Sequence, residues 1–538
     1  MEQSGSRSSS DPNLPDLNDD AATVVHECTT MDIEHMPVTD DPRKWSNFRK
    51  NFILLQVAFG AMIAGLAGNI QNPAIGQMEA DLPASPSQIS LSLSLFILLQ
   101  GVIPLVPSIS EVKGRKFVYI VSMGIFTVGS AVVATSKNIQ LLIGFRCFQA
   151  AGSSAVMSIG AATLADIYDP VQRGTKASLQ NRGSMGIYYI APLLGPSVGS
   201  ILGGGLTTAF TWRGPFYFLT IMGGVVFLSF LLVFKDTFRR ERSLTYQNAL
   251  KERLKESTMK KERHSDKGTN VLPLSHDDTG KDPEKQEITA EVAQVIPDIQ
   301  LGLSDVNPIK PMAIILRRTY NIFMLVASGL YFAFAFVVLY TSTRSLTKYY
   351  FSDPLKIGLV LLAYGIGTVC GSMIGGRWSD HQLAHLKAEN GGQGTPEMRL
   401  RSTVHGLLIF PLCVIGYAWV LEERVNVGAV CVMLFACGFV SIFVYTSTLA
   451  YIVDSNVGRS SSAVALNSCF RGTFAFIFEE IAVPMQDNLG DGWMYTIIAC
   501  IMAISGVLTV LVMYKGAQWR AESEERELKA ASKVDGLN

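Results

Sequence analysis

The sequence predicts an all-α membrane protein, with twelve transmembrane helices in two six-helix, pseudo-symmetric bundles. Three observations predict it. Hydrophobic residues make up 48% of the 538-residue chain and charged residues only 17%, where a soluble protein carries about 25%. The apolar residues gather into long blocks, and a helix crossing the hydrocarbon core needs about 20 mostly apolar residues. The blocks fall six and six around a highly charged gap, Lys235–Thr319. Period-two alternation is absent, and a backbone in lipid must satisfy its polar groups within the segment, so the blocks are helices.

In chain order, residues 1–44 are rich in Ser, Asp and Pro and are expected to form a disordered cytosolic tail; they show no signal-peptide core. The first bundle, 45–235, holds the blocks Phe52–Ile75, Ile89–Val106, Phe117–Ala134, Ile139–Leu164, Gly183–Leu206 and Phe216–Phe234. Residues 236–312, rich in charge, read as a disordered cytosolic linker. The second bundle, 313–515, holds Tyr320–Tyr340, Ile357–Gly375, Thr403–Leu421, Val427–Ile452, Val464–Pro484 and Met494–Tyr514, and 516–538 is a charged cytosolic tail. Lys and Arg favour one side of the membrane, with Arg43, Lys44, Lys113, Arg115, Lys116, Arg399 and Arg401 among them, which sets both termini in the cytosol.

Lys+Arg and Asp+Glu are equal at 45 each, so no basic surplus favours nucleic acid, and none is expected as a partner. Seven of the eight cysteines lie inside apolar blocks and read as packing residues. His381 and His385 are spaced like a zinc pair, but Gln382 stands where a general base would be and no third ligand is evident, so neither metal nor cofactor is expected. No phosphate-cradling loop and no catalytic constellation appears, so the chain reads as no enzyme, and any energy input must come from ion gradients.

The two halves echo each other. Glu111 follows the second block and Asp380 the eighth; Asp166 and then Arg173 follow the fourth, Asp454 and then Arg459 the tenth. Matched features at equivalent places point to duplicated halves, a common plan for transporters. The run Pro107–Lys116 carries Glu111, Gly114, Arg115 and Lys116 in the places of the pattern G-x-x-x-D-R-x-G-R-K. Arg146-Cys-Phe-Gln149 is similar to R-x-x-Q-G, Gly195-Pro196-Ser-Val-Gly199 to G-P-x-x-G, and Asn72-Pro73-Ala-Ile-Gly76 to P-A-x-P. Trp212-Arg213 with Phe216–Phe218, and Asp236-Thr-Phe-Arg239, add a fungal flavour. On these residues the chain resembles the major facilitator superfamily, and within it the twelve-span fungal drug:proton antiporters, over about residues 45–515. Pro107, Val112, Ala150 and Gly76 depart from the family patterns.

The resemblance implies a major facilitator fold and a gating role for Glu111, Gly114, Arg115 and Lys116. Asp166 with Arg173, and Asp454 with Arg459, are expected to form related cytosolic clasps, with Asp380 as the counterpart of Glu111. Gly195, Gly199 and Gly203 share a helix face with bending prolines Pro192 and Pro196, and Gly367, Gly371 and Gly375 repeat the stripe, so spans five and eight are expected to face each other along a close seam. Charges within the blocks are limited to Arg146, Arg471, Glu479 and Glu480. A charge inside a membrane helix is a functional hypothesis by default. The family assigns the Arg146 position to proton transfer, and a carboxyl drawn out of water holds a proton more readily, so Arg146, Glu479 and Glu480 are the proton-coupling candidates. Asn69, Asn72, Tyr331, Tyr340 and Tyr445 are the candidate cavity lining, suited to amphipathic molecules.

The expected function is export of small, drug-like organic molecules by proton antiport and alternating access. The expected partners are the substrate, protons and the lipid bilayer, and the chain is expected to act as a monomer in the plasma membrane, with the vacuolar membrane as the alternative. A dedicated exporter of a native metabolite (organic acid, amino acid or secondary metabolite) and a non-transporting membrane sensor are the competing readings.

Overall fold

Local chemistry sets the helix limits. The computed structural model describes residues 40–103, 110, 113–168, 184–239, 246 and 309–535. Helix α1 (Asn47–Asn69) is continued by a tight turn at Asn72–Ala74, where Pro73 fits the first-turn geometry, and by α2 (Ile75–Asp81). Helix α3 (Pro86–Val102) starts with a reciprocal cap, in which Ser85 Oγ accepts from Gln88 N at 3.3 Å and Gln88 Oε1 accepts from Ser85 N at 3.0 Å. Helix α4 (Arg115–Thr135) follows Gly114, whose φ of 86° suits glycine alone. Asn138 caps α5 (Ile139–Ile167); α6 (Ser184–Phe210) and α7 (Gly214–Leu232) complete the first half.

The second half opens with α8 (Ile309–Arg317) and α9 (Thr319–Tyr349). Asp353 caps α10 (Pro354–Glu389), which runs well past the apolar block; α11 (Glu397–Arg401), α12 (Val404–Glu422) and α13 (Val427–Asp454) follow. The last helix, α14 (Ser460–Asp535), turns at Gly490, where φ 78° and ψ 173° leave the helical region, so it makes two passes. Nine helices among the described residues are long and apolar enough to span, one of them this double helix. Dividing it and counting the shorter apolar stretches Pro86–Val102 and Val198–Phe210 makes twelve passes.

The halves pack alike. Helix α1 lies on α6 as α9 lies on α14, and α3 lies on α5 as α10 lies on α13. Across the halves, α6 packs on α10 and α3 on α14, the two pairings that a twofold relation would exchange. Large apolar side chains such as Leu55, Val128, Ile221, Leu412, Val432 and Ile504 point outward and exposed. That placement is costly in water and neutral in hydrocarbon. In a separate small unit, Arg239 Nη2 pairs with Asp40 Oδ2 at 3.2 Å.

Candidate transport site

Arg146 lies on α5 and is fully buried. Its Nη1 donates to the Ala67 carbonyl of α1 at 3.0 Å and to Gln149 Oε1 at 2.6 Å. Gln149 Nε2 in turn donates to Ser130 Oγ of α4 at 2.7 Å, which fixes the amide so that its oxygen faces the arginine. The guanidinium carbon sits 4.4 Å from the Phe96 ring centroid and 5.6 Å from that of Phe216, a cation–π setting. Nε and Nη2 have no hydrogen-bond partner among the described residues. From the other half, Glu479 of α14 is equally buried, and neither of its oxygens has a hydrogen-bond partner among the described residues. Arg146 and Glu479 lie within electrostatic reach of each other without forming a contact ion pair.

Glu480, its neighbour, turns the other way. Its Oε1 accepts from Ser94 Oγ at 2.6 Å and from Ser90 Oγ at 3.2 Å, both on α3, so this carboxylate ties the halves together. Adjacent positions on a helix point about 100° apart, which buries one acid and sends the other to the seam. Tyr340 of α9 donates to the Pro86 carbonyl at the start of α3, at 3.4 Å. Asn69 and Asn72 are buried at the far end of α1, with Asn69 Oδ1 and both Asn72 amide atoms unpartnered among the described residues. Tyr331 sits instead inside the C-terminal half, its ring 6.0 Å from that of Phe410 on α12. Tyr445 stands beside Arg471, 5.6 Å from its guanidinium.

Both clasp acids pair with arginines far upstream in the chain. Arg115 Nε binds Asp166 Oδ2 at 3.3 Å, and its Nη1 donates to Ser110 Oγ at 2.6 Å. Asp236 Oδ1 accepts from Arg115 N at 3.1 Å, an anion at the first turn of α4. A Cβ on Gly114 would collide with that carboxylate, a second reason for glycine there. Lys116 follows, half-buried, while Glu111 and Arg173 lie outside the described residues. In the second half Asp454 pairs with Arg399 at 2.5 Å, not with Arg459, and Asp380 approaches the same arginine at 3.5 Å. Arg459 binds Glu527 of the terminal helix at 3.2 Å, and Glu527 also holds Arg318 at 2.9 Å.

The glycine stripes also serve differently. Spans five and eight do meet, as α6 and α10, but the expected stripes face inward to their own halves. Gly195, Gly199 and Gly203 lie against Gly65, Leu66 and Ile70 of α1. Gly367, Gly371 and Gly375 lie against Phe435, Phe439 and Phe443 of α13. The seam itself is made by Gly204, where a Cβ would fall 2.6 Å from the Pro354 oxygen, and by Gly358, pressed on the Ser200 oxygen. Gly101 and Gly472 do the same between α3 and α14. Pro192 and Pro196 fall within α6, at positions whose side chains lie outside the described residues.

One region had no signal in the sequence. At the end of the bundles away from the clasps lies a pocket of about 430 Å³ with Glu79, Arg344, Glu422, Asp487 and Asp491 in its wall. Arg344 Nη2 binds Asp487 Oδ1 at 2.9 Å, and Gln486 Nε2 donates to Asp491 Oδ1 at 2.8 Å. Ser345 Oγ donates to the other Asp491 oxygen at 2.6 Å. These residues lie at the ends of apolar blocks, where charge is ordinary, so spacing could not single them out.

Two like helical halves, meeting at small-residue seams around a buried arginine and an unpartnered carboxylate, define a membrane transport protein rather than an enzyme. The family model described as Major Facilitator Superfamily matches residues 57–478, and the chain belongs to that superfamily. It is 25% identical to MFS antiporter QDR3 of Candida albicans, over 92% of this chain and 82% of that one. It is 27% identical to Efflux pump radE of Floropilus chiversii (89% and 83% covered) and 27% identical to Citrate exporter 1 of Aspergillus niger (90% and 88% covered).

Proposed function

We propose that this protein exports small amphipathic organic molecules in exchange for protons by alternating access. It works as a single chain in the plasma membrane. The carrying observation is Glu479, a fully buried carboxylate with no hydrogen-bond partner among the described residues, within electrostatic reach of Arg146 of the other half. A buried carboxylate must be compensated by an opposite charge or neutralised by a proton. When the halves move, the compensation by Arg146 changes, and a proton on Glu479 answers that change. Arg146 keeps its charge throughout, since guanidinium does not give up its proton in proteins. Glu480, held by two serines of α3, acts at the seam rather than as the carrier of the proton. Clasps at one end and a polar pocket at the other supply the two ends that alternating access requires. The antiporter and efflux names among the relatives support the same direction of transport.

The test uses inside-out vesicles with an acid lumen and a fluorescent amphipathic probe. Wild-type protein accumulates the probe faster with the gradient than without it. Glu479→Gln loses the response to the gradient, with uptake down about tenfold or more, equivalent to about 1.4 kcal/mol. Wild-type uptake indifferent to the gradient would remove proton exchange, and no uptake at all would favour a sensor.

A further inference from the structure

Arg471 enters neither the clasps nor the Arg146–Glu479 site, yet it is the other arginine within the apolar blocks. Its guanidinium carbon lies 3.9 Å from the Phe332 ring centroid of α9 and 5.6 Å from the Tyr445 centroid of α13. The group is thus held among three helices of the C-terminal half. Its Nε is sealed from solvent and has no hydrogen-bond partner among the described residues. No carboxylate among the described residues pairs with it, whereas Arg318, Arg344, Arg399, Arg459 and Arg520 each have one.

The surroundings are polar in a particular way. Asn467, one turn before Arg471 on the same face of α14, is fully buried, and both its amide atoms are unpartnered. Ser328, one turn before Phe332 on α9, is buried with an unpartnered hydroxyl. Helix α9 meets α14 at this level, since Gly329 lies on the Phe470 oxygen and the Phe474 ring. The Tyr445 hydroxyl is also buried and unpartnered. Polar groups without partners among the described residues thus lie on three helices, each within a turn of Arg471 or of a ring that touches it.

We propose that Arg471, with Asn467 beside it, binds the carboxylate of an amphipathic organic anion whose apolar part lies on Phe332 and Tyr445. The inference rests on the export reading above and names its substrate class. Guanidinium is planar and permanently charged. Phe332 covers its face, and a covered face leaves the in-plane N–H edges to meet a carboxylate as a fork. A cationic substrate would meet repulsion here, and a neutral one would leave the charge uncompensated. Asn467 adds donors that a carboxylate's remaining lone pairs accept.

Binding is read without transport, as a ligand-induced shift in melting temperature of the detergent-solubilised full chain. The probes share one ring system: naphthoate, naphthamide and naphthylmethylammonium. Naphthoate binds wild type better than either analogue. Arg471→Gln weakens naphthoate about tenfold or more, the loss of a charge-assisted fork, and leaves naphthamide unchanged. Arg471→Lys, which keeps the charge and guards against a folding defect in the first variant, retains part of the naphthoate binding. Equal weakening of naphthoate and naphthamide, or naphthoate binding untouched by Arg471→Gln, overturns the proposal. Because no gradient is involved, a chain that binds naphthoate through Arg471 yet ignores the pH gradient refutes proton exchange alone.

Discussion

The two clasps are the same device built to different dryness. In the first half, Arg115 at the start of α4 holds Asp166 at the end of α5, with side-chain exposures of 9% and 23%. In the second, Arg399 just ahead of α12 holds Asp454 at the end of α13, with exposures of 23% and 40%. The first is sealed by the segment after α7, where Asp236 binds the Arg115 backbone and Thr237 donates to Asp166 at 3.3 Å. The second has no such cover among the described residues; Asp380 approaches Arg399 there, and the terminal helix supplies Glu527, which joins Arg318 and Arg459. The pairing recurs in both halves, and each half supports it differently.

The comparison breaks most sharply at the arginines. Arg115→Ala leaves Asp166 largely buried and uncompensated, costing toward the lower end of the about 3–5 kcal/mol typical of a broken buried pair. Arg399→Ala touches a wetter pair and costs about 1 kcal/mol or less. Thermal unfolding of the two variants in detergent checks this, and equal losses would end the distinction. Next comes the seam between the halves. Gly358→Val drives a side chain into the Ser200 carbonyl and costs about 1–3 kcal/mol, with slowed probe uptake. Gly205→Ala, a control on α6 whose Cβ would meet only Leu355 Cδ1 at 3.9 Å, stays within about 0.5 kcal/mol. The smallest effect is at the tail. Glu527→Gln removes two partly exposed ion pairs and costs about 0.2–1 kcal/mol, shrinking further as salt is raised.

Order in the chain locates the clasp acids but not the arginines seen beside them. The nearest arginines downstream are Arg173, which lies outside the described residues, and Arg459, which binds Glu527 while Asp454 pairs with Arg399. The partners seen are 51 and 55 residues away, because antiparallel helices bring the start of one beside the end of the next. The glycine stripes tell a similar story. Spacing of four shows that Gly195, Gly199 and Gly203 share a face, but periodicity is blind to which neighbour lies on it.

The sequence alone determined that this is a twelve-pass helical protein with two like halves and two arginines and two acids where lipid tolerates neither. Those facts depend on residues adjacent in the chain, and the cost of burying charge or bare backbone in hydrocarbon is the same in any fold. Only the tertiary structure decided that Glu479 is buried within electrostatic reach of Arg146 while Glu480 binds Ser94, that Arg471 lies on Phe332, and that Gly204 and Gly358 form the seam. Those depend on how far each helix is rotated about its axis, and packing against every neighbour at once sets that rotation.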